Sequence, residues 1–478
     1  VISGLQGFTL KDRGFVLLVV LAAMTSFMAM ALDELWLSVL PVAALGVIYL
    51  LSGSINTIYL LTALLIPFST ELDLAGGLGL VFPGELMFLL LTALGIVKMI
   101  TSPPPMELFN SLTLILFLHL FWIGYTAIFA EIPLISFKYL LAKIWFVIPF
   151  YVLPFYIFRE QIQFDQFLKV IVWSTMIAAC YVFIKHGLDG LTFDSRTNAG
   201  KPFFRNHVNY ACLLLMVIPT SYYLYQRNYG LRYVLLIPLL LIFLYFTYAR
   251  IAYVALAMMI AMWIVYRLRF MRIAVVIGLV GLTAISLSFL SGDTLLHYAP
   301  DYETTVSHKR FDRLIEASYQ FKDISTMERA YRWMAGLEMI TERPFLGFGP
   351  ANFYENYQSY AINSFQTYVS DNPERSGIHN YYLMLIVEQG IFGLLIFLGL
   401  SVTALWKIAQ YRATAQTKPL IQLTIFWLVG ICIVLLLNDM IEVIKFGPFF
   451  FLALWSVSRL QASDSAPSTP PNESLDKY

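Results

Sequence analysis

"GIHNYYLMLIVEQGIFGLLIFLGL", residues 377–400, opens on a histidine and an asparagine and then runs into apolar sequence. Between Tyr381 and Leu400 only Glu388 is ionisable as an acid or a strong base. About 20 such residues are what a helix needs to cross the hydrocarbon core of a bilayer. Runs of this kind recur from end to end. The chain is 59% apolar and only 13% charged, where soluble domains are about half apolar and a quarter charged. The fold class expected is therefore an all-α polytopic membrane protein with about 12 to 14 transmembrane helices.

Apolar runs between charged or Pro/Gly breaks place spans at 15–31, 35–51, 55–69, 82–100, 109–130, 141–158 and 167–186. Further runs fall at 208–226, 233–249, 251–267, 273–290, 380–405, 420–437 and 443–458. Basic residues orient the bundle. Lys11, Arg13, Lys98, Arg159, Arg227, Arg232, Arg267, Arg269, Arg272, Lys407, Arg412, Lys418 and Arg459 fall on one set of loops. Asp33, Glu34, Glu71, Asp73, Glu131 and Asp439 fall on the other. By the positive-inside rule both termini are expected in the cytoplasm.

Two stretches on the outer side are long, 187–207 and 291–379, and a long connection is usually functional. Within the second, Ser325 and Glu328 have the spacing of a capping box ahead of a helix that should end near Pro344. The tail from Gln461 is rich in Ser and Pro and reads as disordered and cytoplasmic. The organisation expected is N-terminal spans over 1–204, a core over 205–405 that includes loop 291–379, C-terminal spans over 406–460, and the tail 461–478.

Net charge is +1, which gives no electrostatic case for nucleic acid. Cys180, Cys212 and Cys432 lie inside apolar runs without metal-ligand spacing. No HExxH, zinc spacing or P-loop is present, and no cofactor or metal is expected.

The polar residues that border apolar runs collect on the outer side: Arg205 and His207, Arg250, Arg329 and Arg332, His379 and Asn380, then Asn438, Asp439 and Glu442. A charge at membrane depth is costly and marks a functional site by default. Each has a plainer reading. Arg250 can snorkel to the headgroups, and Arg329 with Arg332 can be a solvated helix face. His379 and Asn380 can simply start a helix, Arg205 and His207 can be interface residues, and Asp439 and Glu442 can pair with arginines or face water. "LGFGP" (346–350) is a turn, because a lone GxG is weak evidence for phosphate.

Taken in order, "TYARIAYVAL", "ERAYRWMAGLEMITERPFLGFGPANFYENY" and "GIHNYYLMLIVEQGIFGLLIF" resemble the O-antigen ligase family, which also contains O-antigen polymerases and protein O-oligosaccharyltransferases. The likeness covers about residues 205–400. Ala249-Arg250-Ile251 stands where the family usually has Ser-Arg-Gly, and Arg329 lies four residues before Trp333, as the family pattern has it, with Arg332 as its rival.

The resemblance implies an inner-membrane glycosyltransferase facing the periplasm, whose partners are an undecaprenyl-pyrophosphate-linked glycan, a lipid A-core or other glycan acceptor, and membrane lipids. It would be metal-independent and inverting. His379, Arg250 and Arg329 would be catalytic, and Arg205, His207, Arg332 and Asn380 would bind substrate. Ligase and polymerase share donor and chemistry, and the sequence leaves the choice open. A transporter, which would place polar residues near the bilayer midplane, is the rival of a different class.

Overall fold

The computed structural model describes residues 55–74, 78–290, 324–363, 366, 370–372, 376–411 and 413–465. Over these the chain is an all-α polytopic membrane protein with one small hairpin. Lipid offers no hydrogen bonds to backbone, so a spanning segment must satisfy its own N–H and C=O groups, and a helix does so internally. The described helices are α1 (Ile55–Leu65), α2 (Gly84–Thr101), α3 (Ser111–Ile128), α4 (Pro133–Ile157), α5 (Gln161–Leu188), α6 (Arg196–Gly200) and α7 (His207–Gln226). They continue with α8 (Arg232–Tyr245), α9 (Arg250–Arg267), α10 (Met271–Leu290), α11 (Ile324–Glu342), α12 (Tyr381–Gln410), α13 (Lys418–Val434) and α14 (Gly447–Ser465). Seven of them are long and apolar enough to cross a membrane. The expected spans at 15–31 and 35–51 lie outside the described residues.

Local chemistry sets the helix ends. The side chain of Asn110 accepts from Leu112 N and Thr113 N at the start of α3, Asn206 caps α7 through Asn209 N, and Asn380 caps α12 through Leu383 N. Each cap answers one or two of the four N–H groups that a helix start leaves open. The helix α4 begins at Pro133, well before the expected 141, and widens to a π turn at Ile148–Val152. Pro149 lacks an N–H and so helps break the ladder there, and its carbonyl accepts from Tyr59 Oη at 2.7 Å, which ties α4 to α1.

Two differences from expectation stand out. A hairpin, β1 (Thr70–Leu74) with β2 (Leu78–Phe82), follows α1, antiparallel with Thr70 opposite Phe82 and Leu74 opposite Leu78. The last helix runs on to Ser465, past the Gln461 where the tail was expected to begin.

The outer surface of the bundle is apolar. On α3 Leu114, Phe117, Phe121 and Ile128 are exposed at helical spacing, as are Ile177, Ile184 and Leu188 on α5. A contiguous apolar face of this kind is stable only against lipid or another protein. Inside, aromatic rings interlock edge to face: Tyr59 on Phe158, Phe158 on Trp455, and Trp427 on Phe449.

Buried polar residues form clusters at each end of the bundle, besides pairs within it such as His119 with Gln389. At one end Asp165, fully buried, accepts from Tyr223 Oη (2.5 Å), Tyr229 Oη (2.9 Å) and Arg227 Nε (3.2 Å). At the other lie the hairpin, α6, α11 and the starts of α7, α9, α12 and α14. That second end carries the site.

Candidate active site

α11 packs close to α12 because Gly336 has no side chain; a Cβ there would lie 2.5 Å from Ile378 Cδ1. The contact is pinned by Trp333 Nε1 donating to Ile378 O at 3.0 Å and by Arg332 Nη1 donating to Gly377 O at 3.4 Å. From the opposite side Asp439, in the turn between α13 and α14, accepts the His379 backbone N–H at 2.8 Å. Gly377 is required for this approach, since a Cβ there would stand 2.7 Å from Asp439 Oδ2. Held between the two, His379 takes φ 58°, the left-handed region that a β-carbon disfavours. Asn380 then starts α12, its Oδ1 accepting from Leu383 N at 3.1 Å. His379 and Asn380 are thus both a helix start and an anchored point, while among the described residues the imidazole has no hydrogen-bond partner.

Burial, and after it the guanidinium groups of Arg329, Arg332 and Arg205, pull His379 down to about 3. These arginines arrive from two elements. Arg329 and Arg332 sit one turn apart on α11 and are differently engaged. Arg332 is buried and forms an ion pair with Glu328 at 3.6 Å besides its bond to Gly377 O. Arg329 is half-buried, and its Nη1 donates to Ser325 Oγ at 2.9 Å. Ser325 and Glu328, the expected capping pair, both engage arginines of the helix. The helix already includes Ile324, the serine serves Arg329, and Glu328 pairs with Arg332 and accepts from Ser370 Oγ at 2.8 Å. Arg205, beside α7, lies 3.5 Å from Glu71 on the hairpin.

His207, the first residue of α7, has Nδ1 3.0 Å from Thr197 Oγ1. Arg196, Arg250 and Arg329 lie within electrostatic reach of it. Arg250 begins α9 after a bend in which Tyr248 takes φ 55° and donates from its hydroxyl to Leu191 O at 2.9 Å. The seven residues singled out from sequence, Arg205, His207, Arg250, Arg329, Arg332, His379 and Asn380, thus come together at one end of the bundle, with Arg329 near both histidines.

Two neighbours, Arg196 and Lys445, are not singled out by the sequence, which also leaves the partners of Asp439 and Glu442 open. Arg196 lay in a loop with no signal beyond its charge. Asp439 pairs mainly with backbone rather than with an arginine, and burial, partly offset by the His379 N–H, raises it to about 7. Glu442 takes Lys143 as its ion-pair partner and also accepts from Tyr139 (2.8 Å) and Tyr381 (3.0 Å). Lys445 is buried, lowered to about 7 by burial, and donates to the carbonyls of Ser69 and Phe203. That lysine fastens the hairpin and the approach to Arg205 to the base of α14.

The glycine-rich turn is architectural. Phe348 N donates to Val387 O and Gly349 N to Glu388 O, both at 2.9 Å, while Ala351 N and Phe353 N donate to the Glu388 carboxylate. Those N–H groups are taken by α12 itself, which confirms the reading of 346–350 as a turn.

The fold and this end of it define an integral-membrane protein with arginines from several elements near two histidines at one end of the helix bundle. Residues 235–398 match the family model described as O-antigen ligase. No curated protein matches the chain.

Proposed function

We propose that this protein is an O-antigen ligase-type glycosyltransferase of the bacterial inner membrane. It moves a glycan from undecaprenyl pyrophosphate to a sugar hydroxyl of lipid A-core on the periplasmic side. The observation that carries the proposal is the gathering of Arg329, Arg332 and Arg205 within electrostatic reach of the anchored His379, inside the family match or beside it.

The chemistry follows from the charges. The acceptor hydroxyl oxygen attacks the anomeric carbon, the bond from that carbon to the pyrophosphate oxygen breaks, and its electron pair leaves on undecaprenyl pyrophosphate. Attack from the face opposite the leaving group inverts the anomeric centre. The hydroxyl proton passes to the His379 imidazole. A pyrophosphate needs stabilisation of developing negative charge more than it needs a general acid, and Arg250 and Arg329 supply it. Guanidinium groups stay charged and bind phosphate oxygens in pairs, and each preorganised donor of this kind can contribute about 3 kcal/mol in the transition state.

In the donor-free protein His379 is a weak base. A pyrophosphate bound among the arginines cancels the field that holds it down, so the base gains strength when the donor is in place. The positive charge that this chemistry requires comes from side chains, without a metal.

The test is transfer by purified protein in proteoliposomes with EDTA present, using undecaprenyl-pyrophosphate-linked glycan and separate candidate acceptors. Wild type should glycosylate lipid A-core, and His379→Ala and Arg250→Ala should each fall by about a hundredfold or more. Elongation of the donor glycan instead would identify a polymerase with the same donor. No transfer to any acceptor by folded wild type would return the transport reading to the front.

A further inference from the structure

A second polar set lies beside the anchored histidine, and the transfer chemistry does not use it. Tyr381, the first residue of α12, follows His379 by two positions, and Glu442 follows Asp439 by three in the turn before α14. Lys143, midway along α4, reaches both. Its Nζ donates to Tyr381 Oη at 2.8 Å and to Glu442 Oε1. The same carboxylate oxygen accepts from Tyr381 Oη at 3.0 Å and from Tyr139 Oη at 2.8 Å. Lys143, Glu442 and Tyr381 therefore close a triangle whose corners belong to α4, the turn and α12. The ammonium also lies between two rings, 5.4 Å from the Tyr139 centroid and 5.5 Å from that of Tyr381, and its side chain is only 3% exposed. Burying an ion pair takes both charges out of water, and apolar residues of similar size often hold a fold as firmly; the best-attested use of such a pair is to fix register. The register at stake here is that of α12 against the turn. Tyr381 N donates to Leu435 O at 2.9 Å and His379 N to Asp439 Oδ2 at 2.8 Å, so both backbone bonds cross the joint that Lys143 and Glu442 close.

We propose that Lys143 and Glu442 are positioning residues for His379. Acting through the Tyr381 hydroxyl, the pair sets how the turn that carries Asp439 meets the start of α12, and with it where the imidazole stands. Neither side chain touches the reacting atoms. The effect on transfer rests on the transferase reading, whereas the effect on the joint does not.

The experiment uses the full chain in nanodiscs and the double variant Lys143→Met with Glu442→Leu. Both charges are then replaced by apolar groups of similar size, so no lone buried charge is left and the protein should melt near the wild type. Saturated with lipid-linked donor, it should transfer glycan about tenfold more slowly, with donor KM within about twofold of wild type. Tyr381→Phe, which removes only the hydroxyl shared by the pair, should lose about threefold. In a His379→Ala background the double change should add no further loss, because it acts through that residue. A readout without turnover is the backbone amide proton of His379 in protein carrying isotope-labelled histidine, identified by its absence in His379→Ala. It should move upfield in the double variant as the bond to Asp439 loosens. An unmoved amide overturns the proposal while the transferase reading stands. So does wild-type transfer by the double variant, or an equal slowing in the His379→Ala background. A shifted amide in a protein whose wild type transfers no glycan supports the joint and overturns the transferase reading alone.

Discussion

His379 owes its place to groups that never touch its ring. Asp439 holds its backbone N–H, Gly377 leaves room for that carboxylate, and Trp333 holds the preceding carbonyl. Asp439→Asn keeps an oxygen that can accept from His379 N, whereas Asp439→Ala leaves that N–H without a partner. The first should retain most transfer activity and the second should lose about tenfold, since an unsatisfied buried donor costs about 1–3 kcal/mol. Equal activity in the two variants would contradict the role given to the hydrogen bond. Asp439 also sets a pH dependence of stability. Its folded value, raised to about 7, exceeds the ordinary carboxylate value of about 3.9. Its contribution is therefore fully present below about pH 4 and lost as pH rises to about 7. Melting curves of Asp439→Asn should lack this slope, and the wild-type-minus-variant difference should shrink across that window. For His379 the sign runs the other way: a base works when neutral, and activity falls as pH drops through its pKa. The acid limb of kcat, which reports the donor-bound protein, should therefore lie at higher pH than that of kcat/KM, which reports the free protein. At this scale the sequence singled out Arg250 and His379 because polar residues bordering apolar runs are costly, and the structure places both at one end of the bundle. Arg196 and the backbone role of Asp439 were not legible. An arginine in a polar loop looks solvated, and nothing local pairs residue 439 with residue 379.

The spanning helix α12 is broken where it must receive the turn after α11. Gly390 has φ 69°, and a Cβ there would lie 1.9 Å from Phe345 O; Ile391 N donates to Pro344 O at 2.9 Å. Gly390→Ala should lower stability by about 2–3 kcal/mol through backbone strain and the clash, read as a fall in the unfolding midpoint in detergent. An unchanged midpoint would show that the close approach does not hold the turn. The motifs Pro-x-x-Gly-x-Gly and Glu-x-Gly, far apart in sequence, are two halves of one joint. In the sequence the first reads only as a turn, and the second lies within an apolar run. Their pairing is tertiary, and only a positive φ inside an apolar helix reveals it. The hairpin was missed for a related reason. "TELDLAGGLGLVF" alternates for a few residues only, and it sits between two apolar runs that dominate a window of helix length.

Among the described residues, helix ends alternate, so that Asp165, Arg227 and Arg459 sit at one end of the bundle and the arginine–histidine cluster at the other. Charge distribution predicts which end faces which compartment. In a background without Cys180, Cys212 and Cys432, Asn198→Cys should react with a membrane-impermeant maleimide applied from the periplasmic side, and Arg269→Cys should not. The reverse labelling would invert the topology and remove the site from its proposed donor. The class of fold was legible throughout, because the length of an apolar run is fixed by bilayer thickness. The gathering of arginines from α6, α9 and α11 was not, because it depends on how the helices pack rather than on any run of sequence.

The most direct measurement of the central claim is single-turnover glycan transfer by His379→Ala and wild type, each saturated with lipid-linked donor, with donor binding measured on the same samples. The variant should bind donor at least as well as wild type and transfer it about a hundredfold or more slowly. Transfer at the wild-type rate by donor-saturated His379→Ala would contradict it.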